Sequence, residues 1–520
     1  MTTTVAPVAG LLPDGFGVAL DPQVRWAGNG DVLVGGAPIR LLRLTPAGRM
    51  LIDRLAAGEA VPRSAGAQRL ARHLLDAGVA HPRPPIPASS PETVVVIPVR
   101  NDADGLAATL AALAGGPPIV VVDDASHGAE AVKVRGTPPG TTLLRRAAQG
   151  GPAAARNDGW RATDAPFVAF VDANCEPEPG WLDVLLPHFT DPCVAAVAPR
   201  ILPPASPERG RIDARGEELM PVPSLLRSTA HSAVKRDGDL GGPLAAYEAV
   251  ASPLDLGARE AIVRPGSPVP YVPTAALVIR RRALEGLGGF DEAFTVGEDV
   301  DFVWRLVIAG WSVRYEPRAV VRHPIRSSLS AWMAQRYRYG TSAAALARRH
   351  GWSVAPAVMS PWTAGVWSLA AAGQPVLGAV AAGYSIAALR RQVPRGEALR
   401  LAGTGHVRGG LALARALRRA WAPAALLLAA TGGRRSRAVL AACVAVPSLV
   451  DWVQRRPASL DPARFAALQL ADDLAYAGGV WAGCARERSL RALLPDLRSA
   501  PRRRVRQTNE PVSPSIGGDR

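Results

Sequence analysis

Four apolar, β-rich runs separated by helical segments constrain the fold of this chain more than any other feature. Runs of this kind suit strands buried on both faces, and their alternation with helices is typical of a largely parallel α/β sheet. The sequence therefore predicts a Rossmann-like domain whose functional groups gather at the carboxyl ends of its strands. The runs are Val94–Ile97, Ile119–Val122, Phe167–Val171 and Ala276–Ile279.

Polar side chains directly follow three of these runs. They are the segment Pro98–Asp102, the pair Asp123-Asp124 and the segment Asp172–Asn174. Buried acids are costly without a partner, so a ligand with hydrogen-bond donors or a bound cation accounts for all three together. Capping of the helix that follows each strand accounts for any one of them singly.

Two further motifs carry charged groups at the start of predicted helices. Gly150-Gly151 opens a helix that bears Arg156, and a helix N-terminus with a guanidinium favours phosphate oxygens. Glu298, Asp299 and Asp301 begin an amphipathic helix, where acids also suit the positive end of the helix dipole.

In this order the motifs resemble family 2 glycosyltransferases of the GT-A fold over roughly residues 92 to 325. The resemblance implies an α/β domain that binds a nucleotide-diphospho-sugar donor, with Asp299 as the catalytic base, Glu298 orienting the acceptor and Asp301 as the rival base. It implies donor contacts from Pro98, Arg100, Asn101, Asp102, Asp123, Arg156 and Asp172. No G-x-G-x-x-G follows the first strand, which argues against a dinucleotide dehydrogenase.

The resemblance also implies a divalent metal, Mg²⁺ or Mn²⁺, because growing diphosphate charge must be neutralised by a cation with hard oxygen ligands. Asp172 and Asn174 stand where the family keeps an Asp-x-Asp motif. Asn174 is a departure from that motif, since a neutral amide lends no charge. We expect His323 to compensate as a third ligand; otherwise it is an ordinary polar residue before Pro324.

A later motif, Gln335-Arg336-Tyr337-Arg338-Tyr339, resembles the Gln-x-x-Arg-Trp signature of processive family members. The resemblance implies that Gln335 and Arg338 lie over the diphosphate and that Tyr339 stacks on an acceptor sugar. Trp304 is the second predicted acceptor contact. A basic helix face is the alternative interpretation of the motif.

Residues 1–85 are predicted to form a separate small domain, followed by a proline-rich linker at residues 81–92. Short strands at Val18–Leu20 and Val32–Val34 precede a helix at Thr45-Pro46 and another near Ala67–Ala77. This layout resembles the PqqD-like, winged-helix-like modules that recognise peptides. An unrelated cap or dimerisation domain fits the pattern equally well.

The region 331–500 is predicted to be helical and partly membrane-associated, with a disordered basic tail at 501–520. Thr363 to Leu389 carries no charge over more than the roughly 20 residues that a membrane span needs. Shorter apolar runs follow at Ala420–Ala430 and Ala438–Val450. Amphipathic helices that pack on the protein or lie on a membrane surface are the alternative to spanning.

The formal net charge of +16 permits nucleic acid, anionic lipid or a phosphate-bearing substrate as partner. The arginines thicken toward the C-terminus beside apolar runs, which favours a membrane over nucleic acid. The four cysteines are too scattered for a disulfide framework or a zinc site, and Met1–Gly10 lacks the pattern of a signal peptide. We therefore expect an enzyme on the cytoplasmic side of the cell membrane, with several membrane-spanning helices as one option.

Taken together, the layout of the chain resembles the glycosyltransferases of the mycofactocin system. That resemblance implies an inverting enzyme that builds a short β-1,4-glucan from UDP-glucose on a peptide-derived redox cofactor precursor. A glycosyltransferase of cell-wall polysaccharide or glycolipid assembly is the rival, and a catalytically silent, nucleotide-binding membrane scaffold is the rival from another class. Residues 201–270 are expected to shape the acceptor site.

Overall fold

The computed structural model describes residues 10–28, 30–127, 138–204, 242–326, 328–391, 393–457 and 459–497. Contacts divide the chain into two compact units. The first comprises the described residues up to Pro356 together with Ala414–Leu494, and the second comprises Ala357–Leu413 and the described residues from Pro495 onward. The predicted tail at 501–520 lies outside the described residues.

The N-terminal part of the first unit contains five short strands and two helices. They are β1 (Gly17–Leu20), β2 (Arg25–Ala27), β3 (Val32–Gly35), β4 (Arg40–Arg43), α1 (Pro46–Ala56), α2 (Ala65–Ala77) and β5 (Ala80–Arg83). The predicted helix start is confirmed, because the Thr45 side chain accepts a hydrogen bond from the Gly48 amide. Leu33, Ile52 and Leu74 are fully buried in a core of their own.

The predicted linker is wrong at its first residues. His81 and Pro82 belong to β5, which pairs antiparallel with β1 and places Pro82 opposite Val18. Proline is tolerated there because β1 and β5 form a two-stranded sheet whose strands are both edges. The N-terminal module docks on the central domain through Arg72, whose guanidinium forms two hydrogen bonds of 2.7 and 2.9 Å with the carboxylate of Asp191.

The central domain is a nine-stranded sheet covered by helices. Its first elements are β6 (Thr93–Val99), α3 (Ala103–Ala112), β7 (Ile119–Asp123), β8 (Thr141–Arg145), α4 (Gly151–Arg161), β9 (Phe167–Val171), β10 (Glu176–Pro177), α5 (Trp181–Leu185) and β11 (Val194–Leu202). The later elements are α6 (Pro243–Ala251), β12 (Ala261–Ile262), β13 (Ala276–Arg280), α7 (Arg281–Leu287), α8 (Glu298–Ile308) and β14 (Ser312–Arg322).

The sheet is mixed, with the order β10-β14-β11-β13-β9-β6-β7-β8 and β12 beside β14. The prediction of parallel strands is confirmed for β6, β7 and β9, and β8, which is not among the predicted runs, is also parallel to β7. It is wrong for β13, which runs antiparallel to both β9 and β11. A strand buried on both faces is apolar in either direction, so the pattern of residues does not reveal strand direction.

The C-terminal part is helical, as predicted. Its helices are α9 (Leu329–Thr341), α10 (Ala343–His350), α11 (Pro361–Ala371), α12 (Pro375–Leu389), α13 (Arg395–Arg418), α14 (Ala422–Thr431), α15 (Arg434–Arg455) and α16 (Pro462–Arg486). Thr363 to Leu389 does not form one span, because the chain breaks at Gly373 (φ 84°) and α11 and α12 pack against each other. Within the described residues, only α15 is long and apolar enough to cross a membrane.

Helices α9 and α16 cross at van der Waals distance of their backbones. Gly340 of α9 meets Gly479 of α16, and a Cβ at Gly483 would approach the Thr341 carbonyl oxygen to 2.5 Å. A Cβ at Gly479 would overlap the Tyr337 carbonyl oxygen. This crossing holds the C-terminal helices against the helix that carries the Gln335–Tyr339 motif.

The glycine crossing predicts a specific loss of stability. We expect Gly479→Ala to lower the free energy of unfolding by about 2 kcal/mol, because the added methyl group has only backbone to push against. Gly66→Ala in α2 is the matched control, since no atom lies within 4 Å of its added Cβ, and it is expected to be neutral or stabilising. Chemical denaturation measures both; equal effects of the two substitutions would contradict the crossing.

Candidate active site

A cleft of about 1150 Å³ opens at the carboxyl ends of β6, β7 and β9. Its walls come from the central domain, from α9 and from the C-terminal helices of the first unit. The predicted site residues that line it are Pro98, Arg100, Asp102, Arg156, Asp172, Asn174, Glu298, Asp299, His323, Gln335, Arg338 and Tyr339. Asn101, Asp123, Asp301 and Trp304 are the predicted residues that do not line it.

The loop after β6 is held by its own polar groups. Asp102 caps α3 by accepting a hydrogen bond of 3.0 Å from the Gly105 amide, which is the capping role considered from the sequence. Asn101 adopts a positive φ of 52°, and its amide donates to the Ser126 hydroxyl at 2.8 Å. These contacts turn Arg100 to the surface, where it lines the cleft.

The two acids that end β7 have different surroundings. Asp123 is fully buried; one of its oxygens accepts from the Ser126 amide at 2.9 Å and the other, Oδ2, makes no hydrogen bond. Asp124 accepts 2.8 Å hydrogen bonds from the amides of both Gly150 and Gly151. Asp124 therefore fixes the glycine turn that opens α4, a role that sequence reasoning missed because the partners are 26 and 27 residues away.

Arg156 joins the two acidic motifs of the cleft. Its guanidinium is 2.8 Å from a carboxylate oxygen of Asp172 and 2.8 Å from one of Glu298, while the residue is only 4% exposed. Burial opposes its charge, but attraction to Asp172 and then to Glu298 raises the pKa of Arg156 above its usual value. Arg156 therefore stays positively charged and holds together two acids that are far apart in the sequence.

The pKa of Asp299 in the cleft is strongly raised. Burial first, and repulsion from Glu298 second, raise the pKa of Asp299 to about 7. Its Oδ1 accepts a 2.8 Å hydrogen bond from the Val300 amide, which favours the charged form and opposes that shift. A carboxylate that titrates near neutrality can accept a proton from a hydroxyl group at working pH.

Asp301 and Trp304 point away from the cleft. Asp301 is fully buried and bonded to Arg305, Arg349 and His350 at 2.8 to 2.9 Å. Burial opposes ionisation there, but those hydrogen bonds and charges lower the pKa of Asp301 to about 2. Trp304 packs in the core, and its indole N–H donates to the Pro270 carbonyl oxygen at 2.8 Å. The geometry leaves Asp299 as the base candidate and removes Trp304 from the acceptor contacts.

The predicted metal ligands Asp172, Asn174 and His323 line the same cleft. The Nδ1 of His323 lies 2.7 Å from the Pro324 carbonyl oxygen, so this nitrogen carries the proton and Nε2 keeps a lone pair. Burial lowers the pKa of His323, which favours the neutral ligand form. Among the described residues no three His, Cys, Asp or Glu side chains form a ready-made metal cluster. One carboxylate, one amide oxygen and one neutral imidazole are donors that suit a divalent cation, but these three side chains do not form a complete metal site by themselves.

The α9 motif also faces the cleft. Gln335 donates a 2.8 Å hydrogen bond to the Tyr339 hydroxyl, and burial raises the pKa of Tyr339. Arg338 is exposed at the cleft wall. The intervening Arg336 is buried and bonds instead to Glu248 and Asp472.

Sequence reasoning missed a charged network on the C-terminal helices. Arg419 lies 2.7 Å from Asp473 and 3.9 Å above the centre of the Tyr476 ring, and Arg418 lies 2.5 Å from Asp473. All these residues line the cleft. Asp472-Asp473 inside the otherwise apolar stretch of α16 was the available signal, because adjacent acids in such a helix require cationic partners. In the segment 201–270, which is expected to shape the acceptor site, Tyr247 of α6 lines the cleft as well. Residues 205–241 of that segment lie outside the described residues.

Comparison with known proteins agrees with this geometry. The profile of glycosyl transferase family 2 matches residues 94–228, and that of glycosyl transferase family group 2 matches residues 251–452. The pre-mycofactocin glycosyltransferase of Mycobacterium tuberculosis, in strains CDC 1551 and H37Rv, is 42% identical over 502 residues, 94% of this chain and 99% of the relative. The chain belongs to the pre-mycofactocin glycosyltransferase family. It is a family 2 glycosyltransferase with a GT-A-like α/β fold.

Solved structures with similarity to the chain are more distant. A mannosyltransferase from Pyrobaculum calidifontis in complex with GDP-Man and Mn²⁺ gives a TM-score of 0.39 at 20% identity, over 76% of this chain and 89% of that chain. GalNAc-T7 with UDP, GalNAc and Mn²⁺ gives a TM-score of 0.31 at 17% identity, over 63% and 61% of the two chains.

The raised pKa of Asp299 predicts how glycosyl transfer by this enzyme depends on pH. If Asp299 must be ionised, kcat falls as the pH drops below about 7. Glu298→Gln removes the negative neighbour that raises this pKa, so we expect its acid limb to move to lower pH by about one unit. The measurement is the pH profile of kcat for both proteins. An unshifted limb would exclude coupling between the two carboxyls as its origin.

Proposed function

We propose that this enzyme transfers glucose from UDP-glucose to pre-mycofactocin and extends it into a short β-1,4-glucan. The observation that carries the proposal is the similarity to the pre-mycofactocin glycosyltransferase over 94% of this chain, combined with one cleft that is lined by Asp299 and by the predicted donor residues Asp172 and Arg338. The peptide-derived acceptor comes from the relative's name. The donor and the linkage come from the family resemblance.

The donor nucleotide is proposed to bind over the carboxyl ends of β6 and β7. Oδ2 of Asp123 is buried and lies 3.5 Å from Nη1 of Arg145, but it accepts no hydrogen bond, and the N–H of a uracil ring would supply one. Arg100 lines the same cleft, where its exposed guanidinium favours ribose and phosphate oxygens.

The diphosphate is proposed to lie between Asp172 and α9. One oxygen of Asp172 binds Arg156, which leaves the other oxygen, the Asn174 carbonyl group and Nε2 of His323 to hold Mg²⁺ or Mn²⁺. A bound cation of this kind neutralises charge on the leaving diphosphate. Gln335 and Arg338 of α9 line the same cleft. The exposed guanidinium of Arg338 suits phosphate oxygens.

The chemical step is proposed to be a single displacement. Asp299 takes the proton from the acceptor hydroxyl as that oxygen bonds to the anomeric carbon, and the bond to the diphosphate breaks with its electron pair leaving on UDP. The configuration at the anomeric carbon therefore inverts. Tyr339 lines the same cleft, and its aromatic ring suits the apolar face of an acceptor sugar.

Substitution of the base tests the mechanism. We expect Asp299→Asn to lower kcat by about 10³-fold, because general base catalysis contributes on this scale and the amide keeps the shape of the side chain. Asp183→Asn on the exposed side of α5 is the control and should retain full activity. Mass spectrometry of pre-mycofactocin incubated with UDP-glucose, GDP-mannose or UDP-N-acetylglucosamine identifies the donor. Transfer only to a lipid-linked or polysaccharide acceptor would refute the proposed acceptor.

The N-terminal module is proposed to recognise the peptide part of the acceptor. Its own core and its edge strands suit binding of an extended segment beside a sheet. Added pre-mycofactocin should slow amide hydrogen exchange within residues 10–85, with α5 as an internal reference that does not change. Exchange that slows only around the cleft would exclude this role for the module.

A further inference from the structure

Helices α14 and α15 form a hairpin, joined by Gly432-Gly433, that leaves apolar side chains uncovered. Leu426, Leu427 and Leu428 are 59%, 66% and 49% exposed. On α15, Val446, Leu449 and Val453 are 51%, 54% and 52% exposed. Large apolar side chains that are exposed in this number on one hairpin indicate a surface that contacts another apolar phase.

By length and composition alone, α15 could cross a membrane. The part of the hairpin that is not held by the rest of the protein is too short to do so. The second half of α15 is held in the first unit, because Asp451 accepts hydrogen bonds from Arg415 at 2.6 Å and from Gln469 at 2.8 Å. Ser448 is buried and accepts from Arg418 at 2.8 Å. Residues 434–446 then measure about 20 Å and the ten residues of α14 about 15 Å, against a hydrocarbon core of about 30 Å.

All the charged residues of the hairpin before Asp451 are positive. From Trp421 to Val450 the sequence has no acid, and its only charged residues are Arg434, Arg435 and Arg437 at the turn. Arg437 donates to the Ala429 carbonyl oxygen at 3.0 Å and ties the two helices together. Arg434 and Arg435 are exposed at the first turn of α15, where they add to the positive end of the helix dipole. An anionic surface stabilises this arrangement, and no acid of the hairpin does so.

We propose that the α14–α15 hairpin lies in the headgroup region of an anionic lipid membrane without crossing it. The exposed leucines contact the acyl boundary, and Arg434 and Arg435 bind lipid phosphates. Because Arg415 and Asp451, which anchor the hairpin, also line the cleft, the membrane holds the active site close to its surface.

Vesicle flotation of the full-length protein tests this surface without any need for activity. We expect binding to vesicles that contain phosphatidylglycerol and weak binding to pure phosphatidylcholine vesicles. Arg434→Gln with Arg435→Gln should weaken binding to the anionic vesicles about 25-fold, since one basic residue near such a surface contributes about fivefold. Leu427→Gln, made as a separate variant, should also weaken binding to the anionic vesicles. Arg437 is left intact because it joins the helices.

Matched substitutions elsewhere separate the surface from general effects of charge and polarity. Arg43→Gln with Arg69→Gln removes two exposed arginines of the N-terminal module, and Ile86→Gln replaces a side chain that is 88% exposed. Neither control should change binding. Equal loss in the control and hairpin variants would overturn the proposal, as would unchanged binding of the hairpin variants.

Two other outcomes would also overturn it. Protein that stays with the vesicles after extraction with sodium carbonate would be a spanning protein, whereas an interfacial hairpin is released. A dimer that light scattering detects without lipid, and that Leu427→Gln abolishes, would show that a second copy covers the leucines instead of a membrane.

Discussion

The buried guanidinium of Arg156 is the interaction on which the active site depends. Asp172 follows a strand of the sheet and Glu298 begins a helix more than a hundred residues later, so nothing local holds the two carboxylates in one cleft. A single planar cation with several donors bonds to both at 2.8 Å and satisfies each of them. Burial first, and repulsion from Glu298 second, raise the pKa of the neighbouring Asp299 to about 7.

A second constraint, the glycine crossing of α9 and α16, decides what forms the other wall of the cleft. Because Gly340, Gly479 and Gly483 carry no side chain, the two backbones approach closely and bring Asp472 and Asp473 beside Arg336 and Arg419. The C-terminal helices are therefore part of the cleft as well as bearers of an apolar surface. Sequence periodicity indicated helices and a membrane preference there, but it did not indicate that their polar residues face the active site.

Much of the site could be predicted because its residues occupy positions with strong local signals. Asp172 ends an apolar strand, Glu298 and Asp299 start an amphipathic helix, and Gly150-Gly151 precede a helix; each signal spans only a few residues. The different environments of Asp299 and Asp301, which raise the pKa of the first and lower that of the second, could not be predicted in this way. Both acids lie on the first turn of α8, but Asp301 is paired with Arg305 of the same helix and also with Arg349 and His350, which the packing of α10 supplies.

The sequence by itself determined the alternation of strands and helices, the caps at Thr45 and Asp102 and the order of the acidic motifs, because these depend on short-range hydrogen bonds and on hydrophobic periodicity. Only the tertiary structure decided the antiparallel direction of β13, the core position of Trp304 and the charged network beside the cleft. Those features arise from contacts between residues far apart in the chain. Buried segments have a similar apolar composition whatever their direction or their packing partner, so the local sequence does not reveal these contacts.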